Sequence, residues 1–276
     1  MIHKPVLLIL FLATTLFVQT SFAQSRLSIG DQHSFYSDIL EQDRRIFVGL
    51  PRDYTEDKKY PVLYLLDGGE YYQIAQGVLD YLHHRAVKIP QVILVALPNV
   101  DRNTDLTPVY EPHDPNARTI EYSGGAENFL KFIKHELRPF ITDRYSTSGN
   151  NILFGHSLAG LFAAYTFLEE PRLFDNYIIS DPSLWYGENM LIKKLSVNKL
   201  SYFGIEKSVV MTSINRTQDE EDIMSQPQAA FMKLLESLPN MTTTKKLIEG
   251  ETHSTVPLKS LYQGLPFIFK DYVSEQ

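Results

Sequence analysis

The chain contains no cysteine among its 276 residues. That absence excludes disulfides, thiolate metal ligands, a cysteine nucleophile and a lipidated amino-terminal cysteine together. Stability must come from the hydrophobic core. Positive charge is also sparse: 26 Lys and Arg against 33 Asp and Glu give a net charge of -7. No basic run occurs after the amino-terminal two dozen residues. Phosphate binding needs concentrated Lys and Arg, so nucleic acid is not an expected partner. Past the same point no stretch is apolar for the roughly 20 residues a membrane span requires. Repeats and low-complexity segments are missing, and Trp185 is the only tryptophan.

What the chain does have is apolar material, 43% hydrophobic and 12% aromatic, enough for one substantial core. Its start is a separate matter. His3 and Lys4 precede an apolar run from Val6 to Val18, and Ser21-Phe22-Ala23 then offers small residues where a signal peptidase reads. This pattern predicts a secretory signal over 1–23 and a single mature domain over 24–276. Export to the periplasm or the exterior follows, with no stable membrane anchor after cleavage.

Short apolar runs at 45–50, 62–66, 92–97, 152–154, 177–180, 208–213 and 244–248 read as strands. Most are continuous rather than alternating, as in a parallel sheet buried on both faces. Between them lie segments with helical spacing. Over 126–140, Phe129, Phe132, Ile133, Leu137 and Phe140 form one stripe, with Pro139 near the end. Residues 157–168, 227–238 and 258–269 behave similarly. The alternation predicts a doubly wound, mostly parallel α/β sheet with helices on both faces. Two longer stretches, 99–125 and 181–199, each follow a strand. The first should therefore lie at the carboxyl edge of the sheet, where ligands bind.

Ser157 falls in the turn between the short run 152–154 and the helix beginning near Leu158. A serine there sits on a tight strand-to-helix corner with its hydroxyl exposed and a helix amino terminus behind it. Gly155 and Ala159, two before and two after, are small, as the crowding requires. Gly160 follows to ease packing. The bland alternative is an ordinary turn before a helix. A serine nucleophile needs a base, and after Ser157 the only histidine is His253. It follows the last predicted strand, where the base of such an enzyme belongs. His156 points away from Ser157 and reads as support or pocket lining. His83-His84 reads as a solvated helix face rather than a metal pair. The acid should follow the strand 208–213, within Arg216-Thr217-Gln218-Asp219-Glu220-Glu221-Asp222. Asp219 or Glu220 is preferred, and Glu251 is a further candidate. Donors for the oxyanion are expected from the backbone N–H of Leu158 and from the loop around Gly69. Arg102 is placed to meet a substrate carboxylate or phenolate, or to pair with Asp101 or Asp105.

Five segments then share a resemblance. They are Lys59-Tyr60-Pro61-Val62-Leu63-Tyr64-Leu65-Leu66-Asp67-Gly68, Asn99-Val100-Asp101-Arg102-Asn103-Thr104-Asp105-Leu106-Thr107-Pro108, Gly155-His156-Ser157-Leu158-Ala159-Gly160-Leu161-Phe162, Asp181-Pro182-Ser183-Leu184-Trp185 and Glu251-Thr252-His253-Ser254-Thr255-Val256-Pro257. In this order they resemble the esterase family related to esterase D and the enterochelin esterases, from about Arg44 to Phe269. The resemblance implies an α/β-hydrolase fold without a large lid domain, Ser157 as nucleophile, His253 as base and a pocket wall from Asp181 to Trp185. Substrates in such a family range over siderophore esters, acylated sugars, short acyl esters and glutathione thioesters. Ala159 departs from the usual second glycine, and the acidic segment after 208–213 matches no family pattern.

The expected activity is serine-dependent hydrolysis of a small-molecule or oligosaccharide ester through an acyl-enzyme, with no metal and no organic cofactor. Two alternatives stand beside it. One is acyl transfer to a sugar hydroxyl on the same residues, separated from hydrolysis only by exclusion of water. The other is an inactive hydrolase-fold binding protein, with Trp185 and Tyr186 as a stacking surface for a sugar or catechol ring.

Overall fold

Continuous apolar strands need cover on both faces, and the computed structural model shows how they obtain it. It describes residues 28–112, 120–121, 123–197, 206–216 and 222–274. Eight strands are present among them: β1 (Asp31–Ser37), β2 (Gln42–Gly49), β3 (Tyr60–Leu65), β4 (Ile93–Ala96), β5 (Thr147–His156), β6 (Asn176–Ser180), β7 (Lys207–Ile214) and β8 (Met241–Ile248). They form one sheet in the order β1-β2-β4-β3-β5-β6-β7-β8. Pairing is antiparallel from β1 to β2 and from β2 to β4, and parallel everywhere else.

Side chains of successive strand residues go to opposite faces. Val62 and Tyr64, Tyr177 and Ile179, and Val209 and Met211 enter one apolar layer. Leu63 and Leu65, Ile152 and Phe154, and Ile178 enter the other. The second layer is closed by α1 (Gly68–Asp80, continuing in a π-helical turn over Tyr81–Arg85) and α8 (Val256–Ile268). Several helices close the first: α3 (Ala126–Phe132), α4 (Arg138–Arg144), α5 (Leu158–Glu169), α6 (Tyr186–Val197) and α7 (Ser225–Glu236). A short helix, α2 (Arg102–Leu106), lies in the long loop after β4.

The stripe over 126–140 extends further than its spacing suggests, to Arg144. Pro139 starts α4 rather than ending the helix. Proline removes one intrahelical N–H, and the π-helical turn Ile133–Leu137 just before it absorbs the change. Helix α5 is buried on every side from Leu158 to Leu168, because α2 and α6 pack over its outer surface. An ion pair fixes α2 in turn. Arg44 on β2 holds both oxygens of Asp105 at 2.8 Å, and its guanidinium lies 5.2 Å from the Phe129 ring centroid. Burial raises the Asp105 carboxyl, and the Arg44 charge and hydrogen bonds only partly counter it. Among the described helices none is long and apolar enough to cross a membrane.

Candidate active site

β5 ends at His156 and α5 begins at Leu158, which leaves Ser157 alone on the corner. Its backbone has φ 59° and ψ −117°, a conformation that costs a residue bearing Cβ about 1–3 kcal/mol. Hydrogen bonds on both sides hold it there. Ser157 N–H donates to Ser180 O at 3.0 Å, and Ser183 N–H donates to Ser157 O at 3.0 Å. The corner is tight: a Cβ on Gly155 would lie 2.1 Å from the carbonyl oxygen of Ala159. This clash is with the backbone of residue 159, whose own methyl packs in the core. Alanine in place of the second glycine is therefore harmless here. Gly160 has its own reason, because a Cβ there would meet Pro182 at 2.9 Å.

The parallel register aligns the strand ends. His156 pairs with Ser180, and Ser180 pairs with Thr212. The residues that follow β5 and β6, Ser157 and Asp181, consequently share one carboxyl edge. His253 reaches the same edge from the turn between β8 and α8. Its Nε2 lies 2.9 Å from Ser157 Oγ, and its Nδ1 lies 2.6 Å from Asp181 Oδ2. One tautomer satisfies both contacts, with Nδ1–H donating to the carboxylate and Nε2 accepting from the serine hydroxyl. Below them Ser260 of α8 bonds the hydroxyls of Ser180 at 2.8 Å and Thr212 at 2.6 Å. This buried cluster docks the start of α8, and so the His253 turn, onto β6 and β7.

Asp181 is fully buried and has φ 39°. Besides His253 it accepts from Arg216 Nη2 at 2.6 Å and Gln228 Nε2 at 3.0 Å. Burial pushes its carboxyl up. The three hydrogen bonds and the Arg216 charge outweigh that and leave it below the ordinary aspartate value. Asp181 thus occupies the acid position, whereas the family resemblance implied a place for it in the pocket wall. Asp219 and Glu220, the expected acids, lie outside the described residues. What stands beyond β7 is Arg216, the partner of Asp181. Glu251 is turned elsewhere, 2.6 Å from Lys259 Nζ. The signal available in the sequence was position: Asp181 immediately follows a buried strand, next to the one that carries the nucleophile.

A cleft of about 510 Å³ opens over Ser157 and His253, with Leu158, Ser183, Trp185 and Arg216 along one side. Arg102, Asn103 and Ile120 bring the long loop after β4 to its rim, at the carboxyl edge as expected. Arg102 pairs with neither Asp101 nor Asp105. Its Nε and Nη2 grip Asp67 at 2.8 and 2.9 Å, while Asp101 caps α2 through Thr104. Leu158 supplies the first N–H of α5, a donor with no acceptor inside its own helix. Gly69 stands in the first turn of α1 and is not among the residues lining the cleft. Its neighbour Gly68 is the one required to be small, since a Cβ there would meet Leu97 N at 2.5 Å.

His156 packs its ring 4.6 Å from that of His253. Burial, and then the proximity of His253, push its pKa down to about 4. It is a neutral wall behind the base. His83 bonds Ile89 O at 2.9 Å, and His84 lies 3.7 Å from Asp80. A larger polar groove of about 690 Å³ lies at the opposite edge of the sheet, near Asp175 and Lys207, away from these groups.

A serine on the sharp turn after a central strand and a histidine after the last strand define, in this sheet, an α/β hydrolase. The chain belongs to the family described as "Putative esterase", whose profile matches residues 37–254. It is 32% identical over 163 residues to the ferri-bacillibactin esterase BesA of Bacillus subtilis, covering 54% of this chain and 56% of that protein. A siderophore enterobactin esterase of Emericella nidulans is 30% identical over 169 residues, with the same coverage of 54% and 56%. The chain therefore spans little more than half the length of these curated relatives. Among solved structures, an IroE-like serine hydrolase from Shewanella oneidensis superposes with a TM-score of 0.82 at 28% identity, covering 89% of this chain and 82% of that one. The BES protein from Bacillus cereus gives 0.78 at 28% identity, covering 91% and 98%.

Proposed function

We propose that this protein hydrolyses carboxylic esters through an acyl-enzyme and that its substrate is a siderophore ester. The observation that carries the proposal is the unbroken hydrogen-bond chain from Ser157 Oγ through His253 to the buried Asp181. His253 Nε2 takes the hydroxyl proton as Ser157 Oγ attacks the ester carbonyl. Asp181 stabilises the imidazolium, and the N–H of Leu158 faces the oxyanion. His253 returns the proton to the leaving alcohol as the C–O bond breaks. Water then repeats the sequence on the acyl-serine and releases the acid. The siderophore assignment rests on what the two curated relatives are named for. The part-exposed ring of Trp185 at the cleft supports it as a stacking surface. The proposed setting is outside the cytoplasm, on the strength of the signal-like pattern over 1–23.

The test uses p-nitrophenyl butyrate and a catecholate trilactone with wild type and Ser157→Ala. Loss of at least about 10³-fold in kcat is expected, together with loss of fluorophosphonate labelling. A Ser157→Ala protein with wild-type turnover overturns the proposal.

A further inference from the structure

Ser157 Oγ meets two hydrogen-bond partners and has one proton to give. His253 Nε2 lies 2.9 Å away and Ser183 Oγ 3.3 Å away. A hydroxyl carries one donor and two acceptor sites. With the Nδ1 proton of His253 committed to Asp181, Nε2 can only accept, so the Ser157 proton goes to the imidazole. The second contact is then donated by Ser183 and received by the nucleophile's own oxygen. Ser183 is 4% exposed and is held there by its backbone. Its N–H donates to Ser157 O at 3.0 Å, and its carbonyl accepts from Tyr186 N–H at 3.2 Å. At 3.3 Å the bond is longer than is usual between two oxygens, so it restrains the resting hydroxyl little.

We propose that Ser183 is a further catalytic residue, which donates to Ser157 Oγ as that oxygen loses its proton. Negative charge gathers on Oγ when His253 takes the proton, and again when the bond from Oγ to the acyl carbon breaks in the second half of the reaction. A hydrogen bond to a charged oxygen is shorter and roughly twice as strong as one to a neutral oxygen. The contact therefore gains strength towards the transition state, which is the condition for lowering the barrier. Ser183 keeps its own proton throughout. It serves the attacking oxygen, whereas the N–H of Leu158 serves the carbonyl oxygen. The inference rests on the reading of Ser157 as the nucleophile of an esterase.

Fluorophosphonate labelling times the attack of Ser157 alone, and hydrolysis of p-nitrophenyl butyrate adds the second step. Ser183→Ala removes one oxygen and leaves both backbone bonds in place. Both rates should fall roughly 10- to 100-fold. KM should stay within about threefold, because both steps slow together. The acid limb of the kcat/KM profile should keep its midpoint, since Ser157 still donates to His253. Ser183→Thr restores the hydroxyl and should recover most of the loss. A labelling rate that falls by less than about tenfold overturns the proposal. So does a loss carried by KM alone, a midpoint that moves because Ser157 has left His253, or a folded threonine variant no faster than alanine. If melting shows that the threonine methyl does not fit, the alanine pH profile decides by itself. A wild type that neither labels nor cleaves ester sinks the hydrolase reading, and this inference with it, before any variant is made.

Discussion

Asp181→Asn isolates the charge of the acid from its geometry. Asparagine tolerates the left-handed backbone that Asp181 adopts at φ 39°, so the turn should survive. The amide has two ways to sit. With its nitrogen at the Oδ2 position it would face two donors, His253 Nδ1 and Arg216 Nη2. With its nitrogen at the Oδ1 position it faces only Gln228, whose Oε1 has no partner among the described residues and can accept after an amide flip, at the loss of the neutral bond from Nε2 to Pro182 O at 3.2 Å. The second arrangement wins and keeps the His253 tautomer. What disappears is the carboxylate charge beside the imidazolium. Opposite charges 4 Å apart at an effective dielectric of 20 interact by about 4 kcal/mol, or roughly 10³-fold in rate. Arg216 on the same oxygen already offsets part of that charge, so the expected fall in kcat is about 10²- to 10³-fold. Steady-state hydrolysis of p-nitrophenyl acetate measures it, with thermal melting to confirm folding. A kcat within about fivefold of wild type refutes the assignment. Loss as complete as in Ser157→Ala would refute the orientation argument, because it would mean the tautomer had changed.

Gly155→Ala places a methyl 2.1 Å from a backbone oxygen, so the elbow must shift. Overpacking of this kind costs about 1–3 kcal/mol or more, and a shift near 1 Å at the nucleophile should lower kcat about 100-fold. Gly69→Ala meets nothing nearer than 3.7 Å and should leave melting within about 0.5 kcal/mol of wild type; equal damage from both variants would contradict the packing argument. His156 governs acid stability. Its folded pKa of about 4 lies below the ordinary 6.5, so the unfolded chain binds the proton first as pH falls. The stability it permits is complete above about pH 6.5 and drains away between there and pH 4, by about 3 kcal/mol. Melting curves from pH 7 to 4.5 should therefore be flatter for His156→Gln, and an unchanged slope would count against a neutral buried imidazole.

The parts of the fold legible in the sequence are those whose signal is dense burial. Strands β3 to β7 follow apolar runs, because burial on both faces forces such runs. β2 alternates, and β8, at the sheet edge, is MTTTKKLI and mostly unburied, so only their apolar ends marked them. β1 escaped because it is an edge strand, with Asp31, Gln32, His33 and Ser34 at its start and mostly exposed residues along it. Helix α1 escaped because its buried stripe is Gly68, Tyr72, Ala75, Val78 and Leu79, mostly small or amphipathic side chains interrupted by glutamine and glycine. Ser157 and His253 were legible through chain order and the crowding rule at 155 and 159. The acid was not, since a carboxylate is identified by what it touches, and four of them crowd 219–222. The case for an inactive binding protein depended on that missing acid, and Asp181 fills the place.

Placing the acid at the end of β6 has a structural consequence. An acid beyond β7 would reach His253 from the segment that brings Arg216 and Met224 to the cleft. Asp181 instead opens the segment that continues through Ser183, which lies 3.3 Å from Ser157 Oγ, to Trp185 in the cleft wall. Its backbone is tied at both ends, Asp181 N–H to Thr212 O at 2.8 Å and Ser183 N–H to Ser157 O at 3.0 Å. One rigid stretch therefore orients the base and shapes the pocket. Substitutions that enlarge the cleft along this wall will disturb the histidine as well. The rim formed by Asn103 and Ile120 hangs on the loop after β4 and carries no triad member. Specificity can change there at lower cost to catalysis, because rigid sheet edges transmit displacement to their neighbours while loops absorb it.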